Sequence, residues 1–190
     1  MRYIIAIGGN LPVSGKSVGE NLQSAVAELG QKAGRIIARS EVYRSPAFPA
    51  GTGPDYLNGA LVIESDLNPN EILAEMHRTE ESHGRVRAVR WGARTVDLDL
   101  IAAGSMVTPD VSTWNRWFGL DPERQTAERP EVLILPHPRL QDRSFVLVPL
   151  MEIAPEWRHP VLGRTVAEMH ADLTEEERRS VVLLGDPGCQ

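Results

Sequence analysis

TVDLDLIA, residues 95–102, is the stretch that decides how the first half of this chain is interpreted. Apolar and acidic residues alternate in it, which is the period of a β-strand. Three apolar residues are therefore expected on one face, with Asp97 and Asp99 together on the other. By the rise of a strand, the Cα atoms of the two aspartates lie about 6.6 Å apart. The stretch predicts a strand with one face for a core and one acidic face.

Strand and helix patterns come before this stretch in a fixed order. The predicted elements are strands at 3–7, 35–43 and 56–63, a helix at 18–29, and a second helix that begins at Pro69 and ends before Gly84. With 95–102 as the fourth strand, the order over roughly the first 105 residues is β-α-β-β-α-β. This order predicts an α+β, ferredoxin-like sandwich whose antiparallel sheet carries its helices on one face.

The rest of the chain is expected to add to this unit. We predict a single domain over residues 1–190, with an insertion at 112–130 and a C-terminal extension at about 159–190 that contains a short helix at 164–173. Trp114, Trp117 and Phe118 follow i, i+3, i+4 spacing, which predicts one face of a short helix inside the insertion. That face could cover the chain's own surface or contact another subunit.

Composition excludes several classes of protein. The chain has 190 residues, of which 42% are hydrophobic and 24% charged, as in globular domains. It has no apolar stretch of the ~20 residues that a membrane span needs. Residues 1–10 look like a first strand rather than a signal peptide, and a cytoplasmic enzyme is expected. The single cysteine, Cys189, excludes a disulfide framework and a cysteine metal cage. A net charge of −6 argues against a nucleic-acid partner.

Positive charge comes almost wholly from arginine. Of the 20 basic residues only Lys16 and Lys32 are lysines, and five arginines fall within residues 78–94. The planar guanidinium group binds phosphate and carboxylate groups through paired hydrogen bonds, which lysine cannot do. The segment directly before the acidic strand is therefore a candidate anion-binding segment.

Paired carboxylates beside arginines point to phosphoryl transfer. Two like charges on one strand face need a cation, and a hard ion such as Mg²⁺ takes oxygen ligands. The alternative is an ordinary exposed strand face on which an aspartate pairs with Arg94. Arginines next to a dicarboxylate metal site suit phosphoryl transfer, where catalysis consists mainly of positioning and charge neutralisation.

GRVRAVRWGARTVDLD, residues 84–99, resembles the signature of the 6-hydroxymethyl-7,8-dihydropterin pyrophosphokinase family of folate biosynthesis. Further matches follow in the family's order: AIGGNL at 6–11, DYLN at 55–58, LPHPR at 135–139 and RSF at 143–145. The resemblance extends from residue 1 to about residue 158 and agrees with the ferredoxin-like order. It implies transfer of pyrophosphate from ATP to the hydroxymethyl group of the pterin, with release of AMP.

The resemblance also implies roles for single residues. Asp97 and Asp99 would hold two Mg²⁺ ions, while Arg85 and Arg94 would act on the transferred group. Further contacts to ATP are implied for His77, Arg87, Arg90, Trp91, His137 and Arg143. The implied pterin contacts are Ser45, Pro46, Tyr56, Asn58, Trp91 and Phe145. A monomer is expected, with a dimer as the alternative, and no membrane partner.

Several of these residues have a second interpretation. Tyr56 and Phe145 could be ordinary core aromatics, and His137 a turn residue between two prolines. His77 stands where relatives carry glutamine, so it either contacts ATP or is a tolerated replacement. The working hypothesis for the insertion is that it borders the adenine pocket.

Two other functions fit parts of the sequence. Gly15-Lys16-Ser17 lies between a strand and a helix, as in a P-loop kinase, but that pattern needs a glycine where Asn10 stands. A non-enzymatic regulatory or nucleic-acid module of the same fold should have a basic sheet face, whereas this face carries Asp97 and Asp99. Both are less favoured than the pyrophosphokinase.

Overall fold

A computed structural model describes residues 1–47, 53–85, 94–121, 124, 128 and 130–185. Within them lies a six-stranded sheet with helices on both faces. The strands are β1 Arg2–Gly9, β2 Arg35–Arg39, β3 Tyr43–Ser45, β4 Tyr56–Glu64, β5 Asp97–Ala103 and β6 Val182–Leu183. The helices are α1 Val18–Lys32, α2 Pro69–Ser82, α3 Val111–Phe118, α4 Ser144–Ile153, α5 Val166–Asp172 and α6 Glu175–Arg179, with a 3₁₀ turn at Leu140–Asp142. None of the helices in these ranges is long and apolar enough to span a membrane.

Strand β1 lies inside the sheet and pairs antiparallel with β4 on one side and β5 on the other. The other edge of β4 pairs antiparallel with β2 and, further along, with β3. Strand β6 pairs with β3. In this register Gly8 of β1 lies opposite both Asn58 and Asp97.

Local signals account for where the first two helices begin. Ser17 and Glu20 form a reciprocal capping box at the start of α1, and Asn68 and Glu71 do the same for α2. Pro69 occupies the first turn of α2, where its missing N–H costs no hydrogen bond. The predicted helix starts at residues 18 and 69 are confirmed.

The alternation in residues 95–102 is also confirmed. Val96, Leu98 and Leu100 are buried in a first core, which fills the space between the sheet and helices α1 and α2. Ile5 and Ile63 contribute to the same core from β1 and β4. Asp97 and Asp99 therefore lie on the opposite face of β5.

That opposite face is covered as well, which corrects the expectation of helices on one face only. A second core contains Ile4 and Ala6 of β1 together with apolar residues of α4 and α5. Val146 of α4 and Val166 of α5 are fully buried there. The added helices follow the β-α-β-β-α-β unit in the chain, and their apolar residues need a surface against which to pack.

The single strand predicted at 35–43 is wrong, because the chain forms two short strands there. Between β2 and β3, the Ser40 N–H donates to the Ala60 carbonyl at 3.0 Å, while the Ser40 hydroxyl accepts from the Ala60 N–H at 2.9 Å. A buried side chain thus replaces a backbone acceptor of the ladder. Strand pairing is interrupted there and resumes at Tyr43.

Helix α3 confirms the helix predicted inside the insertion. Its Trp114 is fully buried, whereas Phe118 is exposed and Trp117 half-buried. Trp114 stacks on Phe118 with ring centroids 5.0 Å apart and meets the edge of His159 at 5.1 Å. Trp114 therefore packs against the chain's own surface.

Gly9 is expected to be essential for the junction between β1 and the start of β5. A Cβ atom there would lie 2.5 Å from the Thr95 carbonyl oxygen, a backbone atom that cannot move aside cheaply. Gly9→Ala should therefore lower the free energy of unfolding by about 1–3 kcal/mol in urea titrations. Gly19→Ala is the matched control, because only a leucine methyl group at 4.0 Å faces its Cβ and the residue lies in α1. It should be neutral or stabilising by up to about 1 kcal/mol. An equal effect of the two changes would contradict this account.

Candidate active site

A row of three residues crosses the sheet on the face that carries α4. Asp97 of β5, Gly8 of β1 and Asn58 of β4 are cross-strand neighbours. Because the middle residue has no side chain, space remains between the other two. A small cleft opens there, lined among others by Gly8, Asn58, Asp97, Asp99 and Phe145. Four of the predicted site residues, Asn58 on β4, Asp97 and Asp99 on β5 and Phe145 on α4, therefore line one cleft.

Asn10 orders the chain beside this cleft, a role that the sequence analysis did not assign. Its side-chain oxygen accepts from the Arg94 N–H at 2.8 Å, and its amide donates to the Pro54 carbonyl at 3.0 Å. The Asn10 N–H also donates to the Arg94 carbonyl at 2.8 Å. One buried side chain thus joins the end of β1, the backbone of Arg94 and the segment before β4.

Asp97 lies between two guanidinium groups. Arg85 contacts one carboxylate oxygen at 2.5 Å, and Arg94 pairs with the other. Burial, followed by the neighbouring charge of Asp99, raises the pKa of Asp97, while Arg94 and Arg85 act in the opposite direction. The pair Asp97 and Asp99 therefore forms a partly buried site of like charges that positive groups must balance.

Glu80 of α2 positions Arg85, and the sequence analysis missed it. Its side chain is buried, accepts a hydrogen bond from the Leu98 N–H at 2.8 Å, and forms an ion pair with Arg85. The signal was present, because Glu80 continues the buried i, i+4 row of Ile72 and Met76. An acidic residue in an apolar row of a helix indicates a buried charge with a partner.

Arg143 and Phe145 extend the site from the beginning of α4. The Arg143 guanidinium contacts Asp99 at 2.9 Å, and its carbon lies 5.7 Å from the centroid of the Phe145 ring. Phe145 is 38% exposed and lines the cleft, so it is not an ordinary core aromatic. Asp99, the Arg143 guanidinium and the Phe145 ring therefore lie next to one another.

Three of the residues predicted for the pterin, Ser45, Tyr56 and Asn58, lie on β3 and β4. The Asn58 amide donates to the Ser45 hydroxyl at 2.9 Å, and both residues are buried. Tyr56 is two residues before Asn58 in β4 and therefore on the same face. It is half-buried, and burial raises the pKa of its hydroxyl. Pro46 is exposed at the end of β3.

The surroundings of His137 favour a neutral imidazole. Its Nδ1 accepts a hydrogen bond from the Arg139 N–H at 3.1 Å, which places the ring proton on Nε2. Burial lowers the pKa of His137 well below 6.5, and the charges of Arg143 and Arg139 act in the same direction. Both effects favour the neutral imidazole, in which Nε2–H is a donor.

The structure describes only some of the remaining residues that were predicted to contact the substrates. Arg87, Arg90 and Trp91 lie outside the described residues. His77 is half-buried on α2, one turn before Glu80. Among the described residues, no group of three or more His, Cys, Asp or Glu side chains is arranged to hold a metal ion. Asp97 and Asp99 are the acidic residues that line the cleft.

Residues 4–155 match the family model described as 7,8-dihydro-6-hydroxymethylpterin-pyrophosphokinase (HPPK). The chain belongs to this family. A 2-amino-4-hydroxy-6-hydroxymethyldihydropteridine pyrophosphokinase from Synechocystis is 39% identical over 168 residues, 87% of this chain and 73% of the relative. The Haemophilus influenzae enzyme of the same name is 34% identical over 79% of each chain. The expected family and function are thereby confirmed: the chain is a pyrophosphokinase of folate biosynthesis with ATP as co-substrate.

Solved structures agree on the fold. A crystal structure of Plasmodium falciparum HPPK-DHPS with pteroate superposes with a TM-score of 0.63 at 14% identity and covers 90% of this chain. A structure of HPPK-DHPS in complex with substrates gives the same TM-score at 12% identity. The chain spans 42% and 44% of the length of those two solved chains. The likeness is therefore one of fold alone.

His137 is expected to stay neutral across the physiological pH range. In NMR spectra with labelled imidazole nitrogens, its ring should show the Nε2–H tautomer and no titration between about pH 5.5 and 8. The unfolded chain, with an ordinary pKa near 6.5, takes up a proton first as the pH falls, so this group lowers stability below about pH 6.5. His137→Gln, which keeps an acceptor for the Arg139 N–H, should lose less stability over that range. A His137 titration near pH 6.5 in the folded protein would contradict the geometry.

Proposed function

We propose that the cleft over Gly8 is the active site in which this HPPK transfers the β,γ-pyrophosphoryl group of ATP to the pterin hydroxymethyl group. The observation that carries the proposal is the arrangement of Asp97 and Asp99, which line one cavity and pair with three arginines. Carboxylates for a metal and guanidinium groups for phosphate are the parts that phosphoryl transfer requires.

The proposal includes Mg²⁺ held by Asp97 and Asp99, and the side chains fit such an ion. Both are hard oxygen ligands that line the cleft, and burial beside Asp99 raises the pKa of Asp97, as expected where a cation is needed for balance. When bound, Mg²⁺ supplies positive charge to the phosphate oxygens. The binding of two ions stays a prediction. The two carboxylates have enough oxygen atoms to contact both ions.

In the reaction, the hydroxymethyl oxygen forms a bond to the β-phosphorus, and the bond from that phosphorus to the oxygen bridging the α- and β-phosphates breaks. AMP leaves with the bridging oxygen, and the hydroxyl group releases its proton. Arg85 and Arg94 act by holding positive charge beside the transferred group. Their ion pairs with Asp97, and the contact of Arg85 with Glu80, support this role because they limit the freedom of both side chains.

The remaining side chains bind the two substrates. For ATP we propose His77, Arg87, Arg90, Trp91, His137 and Arg143 in addition to Arg85 and Arg94. The Nε2–H of neutral His137 can donate to a phosphate oxygen at any physiological pH. For the pterin we propose Ser45, Pro46, Tyr56, Asn58, Trp91 and Phe145. Phe145 and Asn58 both line the cleft. This supports a flat ring that stacks on the aromatic side chain and forms a hydrogen bond to Asn58 through its polar edge.

Other expectations stay predictions. The pairing of β1 between β5 and β4, with β2 and β3 on the far edge of β4, supports the ferredoxin-like topology. We propose a single domain that includes the 112–130 insertion and the 159–190 extension, because residues of α5 are buried in the second core. A monomer that acts in the cytoplasm, without nucleic-acid or membrane partners, is also proposed.

Removal of either aspartate charge tests the metal-binding proposal. AMP should appear only when ATP, Mg²⁺ and the hydroxymethyldihydropterin are all present. Asp97→Asn and Asp99→Asn should each lower this rate at least ~10³-fold while the protein stays folded. Asp172→Asn is the matched control, since that aspartate, the last residue of α5, forms an exposed ion pair with Arg164. Near-normal Mg²⁺-dependent turnover of either active-site variant would refute the proposal.

The arginines should act on the transition state more than on binding. We expect Arg85→Ala and Arg94→Ala to lower kcat about 10²-fold or more, and to raise the KM for ATP by a smaller factor. Steady-state kinetics with varied ATP measure both quantities. Arg164→Ala serves as the control because its ion pair lies on the exposed surface. If only KM changes in both variants, the two arginines are anchors for bound ATP and the proposed role is wrong.

A further inference from the structure

We infer that Trp114, in the insertion, is a positioning residue for His137. The inference rests on the proposed contact of His137 with ATP and concerns how the chain holds that histidine in place. It assigns the insertion a function that does not require it to touch either substrate.

A buried hydrogen bond joins the insertion to the segment that contains His137. The indole Nε1–H of Trp114 donates to the Pro136 carbonyl at 2.7 Å. Trp114 and Pro136 are both buried, and a proline has no N–H of its own. The carbonyl is thus the one backbone polar group of residue 136, and the next residue in the chain is His137.

Other bonds hold the same segment from the strand side. Leu135 exchanges two backbone hydrogen bonds with Thr108, at 2.9 and 3.1 Å. The His137 N–H donates to the Ile101 carbonyl of β5 at 2.8 Å, and the His137 carbonyl accepts from the Leu140 N–H at 3.1 Å. The backbone is therefore bound on each side of Pro136, and Trp114 binds the carbonyl between them. The bond from Trp114 therefore helps to fix the orientation of the peptide that leads into His137.

Trp114 is itself held in one orientation. Phe118 stacks on the indole, and the ring of His159 meets it edge-on, with centroid distances of 5.0 and 5.1 Å. The Asp110 side chain caps the first turn of α3 by accepting from the Thr113 N–H at 2.9 Å. A fully buried side chain between two rings cannot change rotamer freely, so the donor stays directed at Pro136.

This arrangement predicts a specific effect on catalysis. Without the indole N–H, the buried Pro136 carbonyl has lost its partner, and the peptide that leads into His137 can tilt about its remaining bond from the His137 N–H to the Ile101 carbonyl. The Nε2–H of His137 then no longer meets the nucleotide in the required position. Small displacements of this kind lower rates strongly. The loss should appear with ATP and should leave the KM for the pterin near its normal value, since the described pterin residues lie on or next to β3, β4 and α4.

The experiment is a double-mutant cycle on the whole chain. Trp114→Phe keeps an aromatic ring beside Phe118 and His159 but removes the N–H. Trp114→Phe and His137→Ala are each expected to lower kcat/KM for ATP about tenfold or more. In the doubly substituted protein, the Trp114 change should cause no further loss, because it acts through His137. Trp117→Phe is the matched control on the same helix and should retain wild-type kcat/KM.

The possible outcomes separate the two proposals. If His137→Ala lowers kcat/KM for ATP but Trp114→Phe does not, the positioning role is wrong and the contact of His137 with ATP stands. If Trp114→Phe lowers it equally with and without His137, the effect does not pass through His137 and the inference is also wrong. Normal kinetics of His137→Ala overturn the ATP contact itself, and the inference with it.

A second variant keeps the test valid if Trp114→Phe does not fold. In that case Trp114 is replaced by benzothienylalanine, which has the same two-ring shape with sulfur in place of the N–H group. The same cycle with His137→Ala is then measured. A tenfold loss that disappears in the His137→Ala protein supports the inference, and wild-type kcat/KM in the benzothienyl protein refutes it.

Discussion

The pairing of β1 with β4 on one side and β5 on the other is the constraint on which the site depends. This register places Gly8 between Asn58 and Asp97, so the middle of the row has no side chain. A Cβ on Gly8 would approach the Asn58 side-chain oxygen to 3.1 Å and would enter the cleft. Because side chains alternate along a strand, a slip of one residue in β5 would direct both aspartates into the first core. Burial of Val96 and Leu98 in that core opposes such a slip.

Charge balance then determines how the surrounding segments are arranged. Asp97 and Asp99 lie close together at the edge of a core, and each has an arginine partner. Arg85 follows α2, Arg94 precedes β5, and Arg143 precedes α4, so the acidic face holds three separate segments in place. Buried Glu80 connects α2 to β5 through the Leu98 N–H and to Arg85 through an ion pair. The cations that phosphate binding needs are thus held near the cleft by the same carboxylates that can hold a metal.

Residues on the second face of the sheet contribute both to the second core and to the active-site cleft. Helix α4 buries Val146 and Leu147 in the second core, and its first turn places Phe145 at the cleft. The bond from Trp114 to the Pro136 carbonyl holds the neighbouring segment from outside the sheet. The helices that follow the β-α-β-β-α-β unit in the chain therefore bear directly on the active site, although they are additions to the basic fold.

Local patterns were sufficient for the parts of this protein that depend on neighbours in the chain. Alternation in 95–102 placed both aspartates on one face, the capping residues located the starts of α1 and α2, and ordered motifs identified the family. Tertiary structure alone decided the break between β2 and β3, the burial of Glu80 and the partner of Trp114. Each of these depends on a hydrogen bond between residues distant in sequence: Ser40 with Ala60, Glu80 with Leu98, and Trp114 with Pro136. Periodicity and capping act within a few residues, whereas such bonds exist only once the sheet has formed and its helices have packed against it.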